Sequence, residues 1–439
     1  MKPIVYIVHH VDTEGPLYED IKATFERLEL ILGTKIPMKP TRENLKKIQE
    51  GRADCLTEEQ RKQAQIVTKP HLLEYKKSWA EVDEMLYRIL SKDFRNKYKD
   101  SLGGGYVFNW HVMDHVGFIT NPRHRDMGYL NIFDHYQSIL DETDSLDIDE
   151  IEWHFHPVPF EKRANQCATS YDNCYPILHQ ILCRRLVERG WFPRVNRPGM
   201  HTIRPDSNWF LEQWIPFDAG NQSIENDDYC SYGRYGDWKG APNDWEIYHP
   251  DIYDWRKVGT CNRYISRVLN LNTRFRNLTE EELRKAFEKA QNENKNIYVG
   301  VTDHDFRELS TEIDDFYQLL MNVKESYPGV DFKFSNTLDA FRNVIGLPSS
   351  EAVAFETTMV GNRLEIRFTK GEPFGPQPYL AIKTITGDYL HDNFDFGDFK
   401  KVYYYTFDAD TIDLYKVDKI VVATNDNCGN QCIKEVKMR

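Results

Sequence analysis

The 439-residue chain contains no run of about 18 apolar residues, so nothing in it is expected to span a membrane. Positive charge is also in short supply. Lys and Arg number 56 against 69 Asp and Glu, a formal net charge of −13. That balance argues against sequence-independent nucleic-acid binding, which needs a basic footprint, and against docking on an anionic membrane. The N-terminus MKPIVYIVHHVDTEG lacks a long apolar segment and a small-residue cleavage site, so it reads as a buried strand rather than a signal peptide. Cysteine is sparse, eight in all, with no paired CxxC set. Cys55, Cys167, Cys174, Cys183, Cys230 and Cys261 read as free thiols in a reducing cytoplasm. So do Cys428 and Cys432, although their spacing of four in a Gly/Asn turn also admits a metal or disulfide pair. Internal repeats and low-complexity tracts are absent.

The hydrophobic fraction of 40% suffices for a sizeable core, and the length suggests two or three domains of about 150 residues each. Aromatics reach 13%, which fits either an aromatic-rich core or ring-face binding of a sugar. Residues 4–11 (IVYIVHHV) form a buried strand, and 20–100 is mostly charged and helical in period. Further strands are predicted at 106–112, 151–156, 297–305 and 330–337. Helices are predicted at 131–143, 175–189, 207–214, 279–293 and 312–326. Thr279 and Glu282 form the pattern of a capping box. This alternation favours an α/β architecture with parallel strands, an open sheet or a barrel, to about residue 345. After GLPSS (346–350) come short strands separated by Gly, Pro, Asn and Asp, which predict a small all-β domain over 351–439.

Four predicted strands end in acids or histidines. The first ends in Asp12-Thr13-Glu14. The second ends in His111, with Asp114 and His115 just beyond. The third ends in His154 and His156, and the one at 297–303 ends in Asp303-His304-Asp305. C-terminal strand ends share one face of a parallel α/β fold, where active sites sit. One such end is usually a helix cap or a solvated turn; four on one face point to chemistry. A hydrolytic zinc takes three protein ligands, typically His and carboxylate, and His154 and His156 suit it. His111 and His115 have the spacing of a helical metal pair, but they follow a strand and lack the Glu of HExxH. Asp12 and Glu14 project to one face of a strand. Beside a metal, one can ligate while the other accepts a proton from water. His304, between two aspartates, is expected to keep a raised pKa and to donate a proton to a leaving group.

In this order the segments resemble the five motifs of the polysaccharide deacetylases, the NodB-homology carbohydrate esterases. VDTEG (11–15) matches the acidic motif, EIEWHFHP (150–157) the metal-binding histidines and RPGMH (197–201) the arginine segment. PFDAG (216–220) matches a pocket-shaping aspartate and VGVTDHDFRE (299–308) the acid histidine. The resemblance covers about 1–345. It is closest to a divergent branch with Asp-Thr-Glu and His-x-His-Pro motifs, associated with surface-glycan or lipopolysaccharide biosynthesis. GAPNDWEIYHPD (240–251) resembles a substrate-loop segment of that branch.

The resemblance implies a distorted (β/α) barrel, with a helical insertion at 20–100 that serves as a lid or partner surface. It implies metal-dependent removal of an N-acetyl group from a carbohydrate, which is nucleotide- or lipid-linked or polymeric. Asp12 becomes the base, Arg197 orients it and His304 is the acid. Glu14, His154 and His156 hold a divalent metal, zinc first. His111, Asp114, His201, Asp218, Asp244, Trp245 and His249 face the substrate, and Trp153, Trp209, Trp214, Trp238 and Tyr248 join Trp245 as sugar-stacking candidates, core packing being the first reading of each aromatic taken singly. The chain departs from the main family in three respects. Glu14 lies one position beyond the usual second acid, the two histidines are two rather than four apart, and the insertion is long. Asp12 or His111 as a ligand therefore stays open. A deformylase, a glycoside hydrolase on a related barrel and a non-catalytic sugar-binding protein are the competing readings.

Overall fold

A computed structural model describes residues 2–164, 170–227, 236–348 and 352–437; Cys167 and Cys230 lie outside them. Strands β1 (Ile4–Thr13), β2 (Phe108–Met113), β3 (Glu150–His154), β4 (Val195–Asn196), β5 (Phe217–Asn221), β6 (Tyr264–Asn270) and β7 (Ile297–His304) run parallel and close into a seven-stranded barrel. β1 makes the closure. It pairs along its length with β7, while its other edge pairs with β8 (Asp331–Phe334) through Ile4–Ile7 and then with β2 through His9–Thr13. The barrel is thus distorted where β8 and β2 share one edge. Along β1 the side chains alternate. Val5, Ile7 and Val11 join the outer core beneath the helices, whereas Tyr6 and Val8 belong to an inner cluster with Val195, Ala219, Val268 and Tyr298.

The helical segment at 20–100 divides in two. Helices α1 (Ile21–Leu32), α2 (Arg42–Gln49) and α3 (Glu58–Val67) bury Phe25, Leu28, Ile31, Ile48 and Val67 in a small core of their own. Helix α4 (Trp79–Ile89) instead turns Val82, Met85, Leu86 and Ile89 into the barrel's outer core, and α5 (Lys92–Lys97) follows it. Only α1–α3 therefore form an insertion with its own core. Next come α6 (Asn131–Glu142), α7 (Tyr175–Arg189), α8 (Pro205–Trp214), α9 (Glu280–Glu293), α10 (Leu309–Ser326) and α11 (Thr337–Ile345). Thr279 caps α9 by accepting from the Glu282 N–H, but the expected box is incomplete because the Glu282 carboxylate pairs with buried Arg267 at 2.6 Å. No helix among the described residues is long and apolar enough to cross a membrane.

The C-terminal region is antiparallel throughout. β13 (Asp395–Asp398), β14 (Val402–Thr406), β10 (Arg363–Lys370) and β9 (Ala354–Val360) form one sheet. β12 (Tyr389–Asp392), β11 (Tyr379–Thr384), β15 (Val417–Asn425) and β16 (Gln431–Glu435) form the other. Strands β11 and β15 are apolar on both faces for a reason that period-two geometry supplies. Leu380, Ile382, Ile420 and Val422 fill the sandwich, while Tyr379, Ala381, Val421 and Ala423 pack on α7, α8 and the barrel. Tyr379 is fully buried against Phe192 and Trp214, and its hydroxyl bonds His179 Nδ1 at 2.8 Å. Tyr379→Ala is expected to cost about 3–5 kcal/mol in urea unfolding, the range for emptying an aromatic site. Tyr415→Ala, at a side chain 77% exposed, should change stability by less than about 0.5 kcal/mol. Equal effects of the two would contradict this packing.

Candidate metal centre and active site

The barrel interior grades from apolar to ionic toward the C-terminal strand ends. Above the Tyr6–Val8 layer, His10 Nδ1 bonds His111 Nε2 at 2.8 Å and His10 Nε2 bonds the Tyr298 hydroxyl at 2.8 Å. One step further along β1, Asp12 meets Arg197. The guanidinium Nε donates to Asp12 Oδ1 at 2.9 Å and a terminal nitrogen donates to Oδ2 at 3.3 Å. Other terminal N–H groups of Arg197 reach the Ala219 carbonyl at 2.9 Å and the Thr302 hydroxyl at 3.2 Å. Burial alone would raise the Asp12 pKa. The charge of Arg197 outweighs it, with help from His154, His304 and His201, and the carboxyl is held well below the usual carboxylate range.

Glu14, His154 and His156 converge beside this pair. The two Nε2 atoms are 2.8 Å apart, and Glu14 Oε1 lies 3.8 Å from the first and 3.6 Å from the second. Donors around a tetrahedral ion with bonds of about 2.0–2.2 Å sit about 3.3–3.6 Å from one another, which these separations bracket. The tautomer fits as well. His154 Nδ1 donates to the Arg197 carbonyl at 2.9 Å, so its Nε2 lone pair is left for a ligand. The cluster could hold a metal ion through one carboxylate and two imidazoles. Asp12 stands outside it, engaged by Arg197, with Oδ1 facing His154 Nδ1 at 3.7 Å. His304 Nε2 completes the group, 3.8 Å from Asp12 Oδ2 and 3.9 Å from Glu14 Oε1.

Local backbone explains how two short loops hold this geometry. Asp305 accepts the backbone N–H groups of Glu14 and Gly15 at 2.9 and 2.7 Å, and the Tyr136 hydroxyl at 2.8 Å, which pins the end of β1. Gly15 takes φ +69° against the Trp79 ring. Met200 and His201 both adopt left-handed backbone, φ 53° each, a cost of order 1–3 kcal/mol per residue. Their carbonyls are held by the Gly236 N–H at 3.0 Å and by Trp238 Nε1–H at 2.8 Å. Thus fixed, His201 reaches Arg197 and lines the cavity.

Asp12, Glu14, His154, His156, His201 and His304 all line one cavity, and Arg197 lies directly behind it. The other expected substrate contacts are corrected. His111 is turned into the stack below, with His10. Asp114 is buried against Arg185 at 2.7 Å, and Asp218 is buried with Asn196 and Arg263. Asp244 lies on the outer surface paired with Lys289, while Trp245 stacks under the Arg267 guanidinium in the core. His249 packs on Tyr264 and bonds the Arg263 carbonyl. Trp153, Trp214, Trp238 and Tyr248 are core residues, and Trp209, though exposed, bonds the Ile252 carbonyl away from the cavity.

The flanking aspartates do not raise the His304 pKa as expected. Asp303 turns away to His9 Nε2 at 3.0 Å and Asp305 to the β1 loop. Burial pushes these two carboxyls up to about 8 and about 7, so neither offers His304 a full charge. Burial dominates at His304 too and lowers it to about 3 despite Asp12 and Glu14. The cavity also contains groups not singled out from the sequence: Phe275, Phe306 and the arginines 27, 123, 125, 274 and 307. Two Arg-x-Arg tripeptides, at 123–125 and 274–276 in the loops after β2 and β6, were the available signal.

A scan against protein-family models and a search of curated proteins both return no match to this chain.

Gly199 is where the two loops touch. A Cβ there would lie 2.6 Å from His156 Cδ2 and 2.6 Å from the Phe155 carbonyl oxygen. Gly199→Ala is expected to displace His156 and weaken zinc binding about 10–100-fold, read by competition with a chromophoric chelator. An unchanged dissociation constant would mean that this contact does not set the His156 position.

Proposed function

We propose that this protein is a metal-dependent hydrolase that removes an N-acetyl group from a carbohydrate, a divergent polysaccharide deacetylase of the NodB-homology type. The observation that carries the reading is the meeting, at one barrel mouth, of a Glu/His/His donor set with an arginine-clamped aspartate and a histidine facing it. A divalent metal held by Glu14, His154 and His156, with zinc favoured by the His₂Glu donor set, would supply Lewis-acid polarisation of the acyl carbonyl and a lowered pKa for water.

The chain's own groups do the rest. Asp12, kept ionised by Arg197, accepts at its carboxylate the proton of the attacking water. Oxygen adds to the acyl carbon, the C–N bond breaks, and the amine nitrogen takes a proton from His304 Nε2, the neutral imidazole having first received it from Asp12. Acetate and a free amino sugar leave, and the proton Asp12 gained balances the one His304 gave. Asp12 Oδ2 and His304 Nε2 are 3.8 Å apart and line one cavity, so both lie within reach of a single acyl group bound there. Asp12 is committed to Arg197 and Glu14 to the donor set, so no carboxylate of the cavity is left to act as the acid of a glycosidase. By the same resemblance, the reaction is a step in surface-glycan or lipopolysaccharide biosynthesis.

Acetate release from N-acetylated amino sugars tests this. Asp12→Asn and His304→Ala should each lower turnover about 10²–10⁴-fold with zinc content intact. Near-normal turnover in both would overturn the assignment of roles. Formate in place of acetate would make the enzyme a deformylase, and reducing sugar would make it a glycosidase.

A further inference from the structure

The chain is strongly acidic, yet its cavity is lined by five arginines. They come from four places in the fold. Arg27 is on α1 of the insertion, Arg123 and Arg125 lie in the loop after β2, Arg274 follows β6 and Arg307 follows β7. Three of the guanidiniums crowd one ring, with their carbons 5.8, 5.5 and 5.7 Å from the Phe306 centroid for Arg123, Arg125 and Arg307. Like charges gathered so closely repel, and burial strengthens the repulsion.

Among the described residues, carboxylates form ion pairs with Arg27, Arg123 and Arg125 but not with Arg307. Glu19 takes Arg27 through two 2.8 Å bonds and faces Arg123 at 3.5 Å. Glu14 contacts Arg125, and its other oxygen belongs to the metal-binding cluster. Arg307 is only 4% exposed, and its Nε and one terminal nitrogen are buried without a hydrogen-bond partner. The acid with the strongest pull on it is Glu312, which shares its buried site with Asp303 and which burial pushes up from the usual carboxylate range. A buried guanidinium with unmade hydrogen bonds is costly, and a multi-oxygen anion is the group that guanidinium forks bind best.

We infer that this arginine wall binds a phosphate group carried by the sugar, so that the substrate is a phosphorylated N-acyl amino sugar rather than a neutral glycan. The inference rests on the hydrolase reading for the acyl sugar; the anion site itself stands on the arginines. A sugar phosphate, a nucleoside diphosphate sugar and a polyprenyl-phosphate-linked sugar all present this chemistry. The Phe275 and Phe306 rings at the same wall offer apolar surface beside the anion.

Calorimetric titration separates the possibilities. N-acetylglucosamine 1-phosphate should bind at least about tenfold more tightly than N-acetylglucosamine, to zinc-loaded and to zinc-free protein alike. Arg307→Gln should erase most of that preference while each chain still binds one zinc. Arg274→Gln, at a partly exposed position, gives the same test should the buried substitution unfold the protein. Equal affinity for the two sugars, a preference that vanishes without zinc, or a preference unmoved in a folded variant would each overturn the proposal. UDP-N-acetylglucosamine and a farnesyl-phosphate-linked analogue then identify the carrier as whichever binds more tightly. Preferential phosphate binding with no acetate released would keep the anion site and remove the hydrolase reading. Acetate released equally from phosphorylated and neutral sugars would do the reverse.

Discussion

The site depends on one buried ion pair. Arg197 and Asp12 meet inside a barrel where neither is more than 2% exposed. An unpaired charge there would be costly, so the two elements that carry them are bound to one arrangement. Arg197 also works through its backbone. Its carbonyl takes the His154 Nδ1 proton, and its guanidinium holds the Asp12 carboxylate. A single residue therefore sets both the tautomer of an imidazole in the candidate metal cluster and the ionisation of the aspartate beside it. The groups are kept distinct by this: Asp12 is clamped by the guanidinium, and Glu14, two residues on, is left to the cluster.

β1 is the frame on which this pair is mounted. It alone touches β2, β7 and β8, and its sequence IVYIVHHVDT passes from apolar to ionic in the direction of the site. Each inward residue finds a partner of matching polarity: Val8 the inner apolar cluster, His10 the Tyr298 hydroxyl and His111, Asp12 the guanidinium. The strain at Met200 and His201 and the contact made by Gly199 are local means of bringing the RPGMH loop onto that frame.

Much of this was legible in the sequence where chemistry and period coincide. Strand ends bearing DTE, HFH and DHD could be read because parallel strands deliver their C-termini to one face, and the structure does bring Asp12, Glu14, His154, His156 and His304 together. The residues that were misplaced failed for physical reasons. Trp153, Trp238 and Trp245 are stacking candidates in the sequence although core packing is the first reading of each, and tertiary packing decides for the core. Asp114 and Asp218 looked like site acids, but each is neutralised by an arginine far away in sequence, Arg185 and Arg263. The raised pKa expected of His304 assumed that adjacent aspartates face it; alternation along β7 turns Asp303 the other way. The arginine wall was missed because it is assembled from four segments, and its one local signal, two Arg-x-Arg tripeptides, does not stand out in an acidic chain. The 20–100 segment read as one helical block because periodicity reports an apolar face without saying which core that face joins.

Whether Glu14, His154 and His156, positioned by Arg197, hold a metal decides how the whole site works. The most direct test is metal content by mass spectrometry, on tag-free protein reconstituted with zinc, for the wild type and for His154→Ala. The account predicts one zinc per chain in the wild type and its loss in a variant that remains folded by circular dichroism. A wild type that takes up no zinc or other divalent ion, or a folded His154→Ala that keeps its full complement, would contradict it.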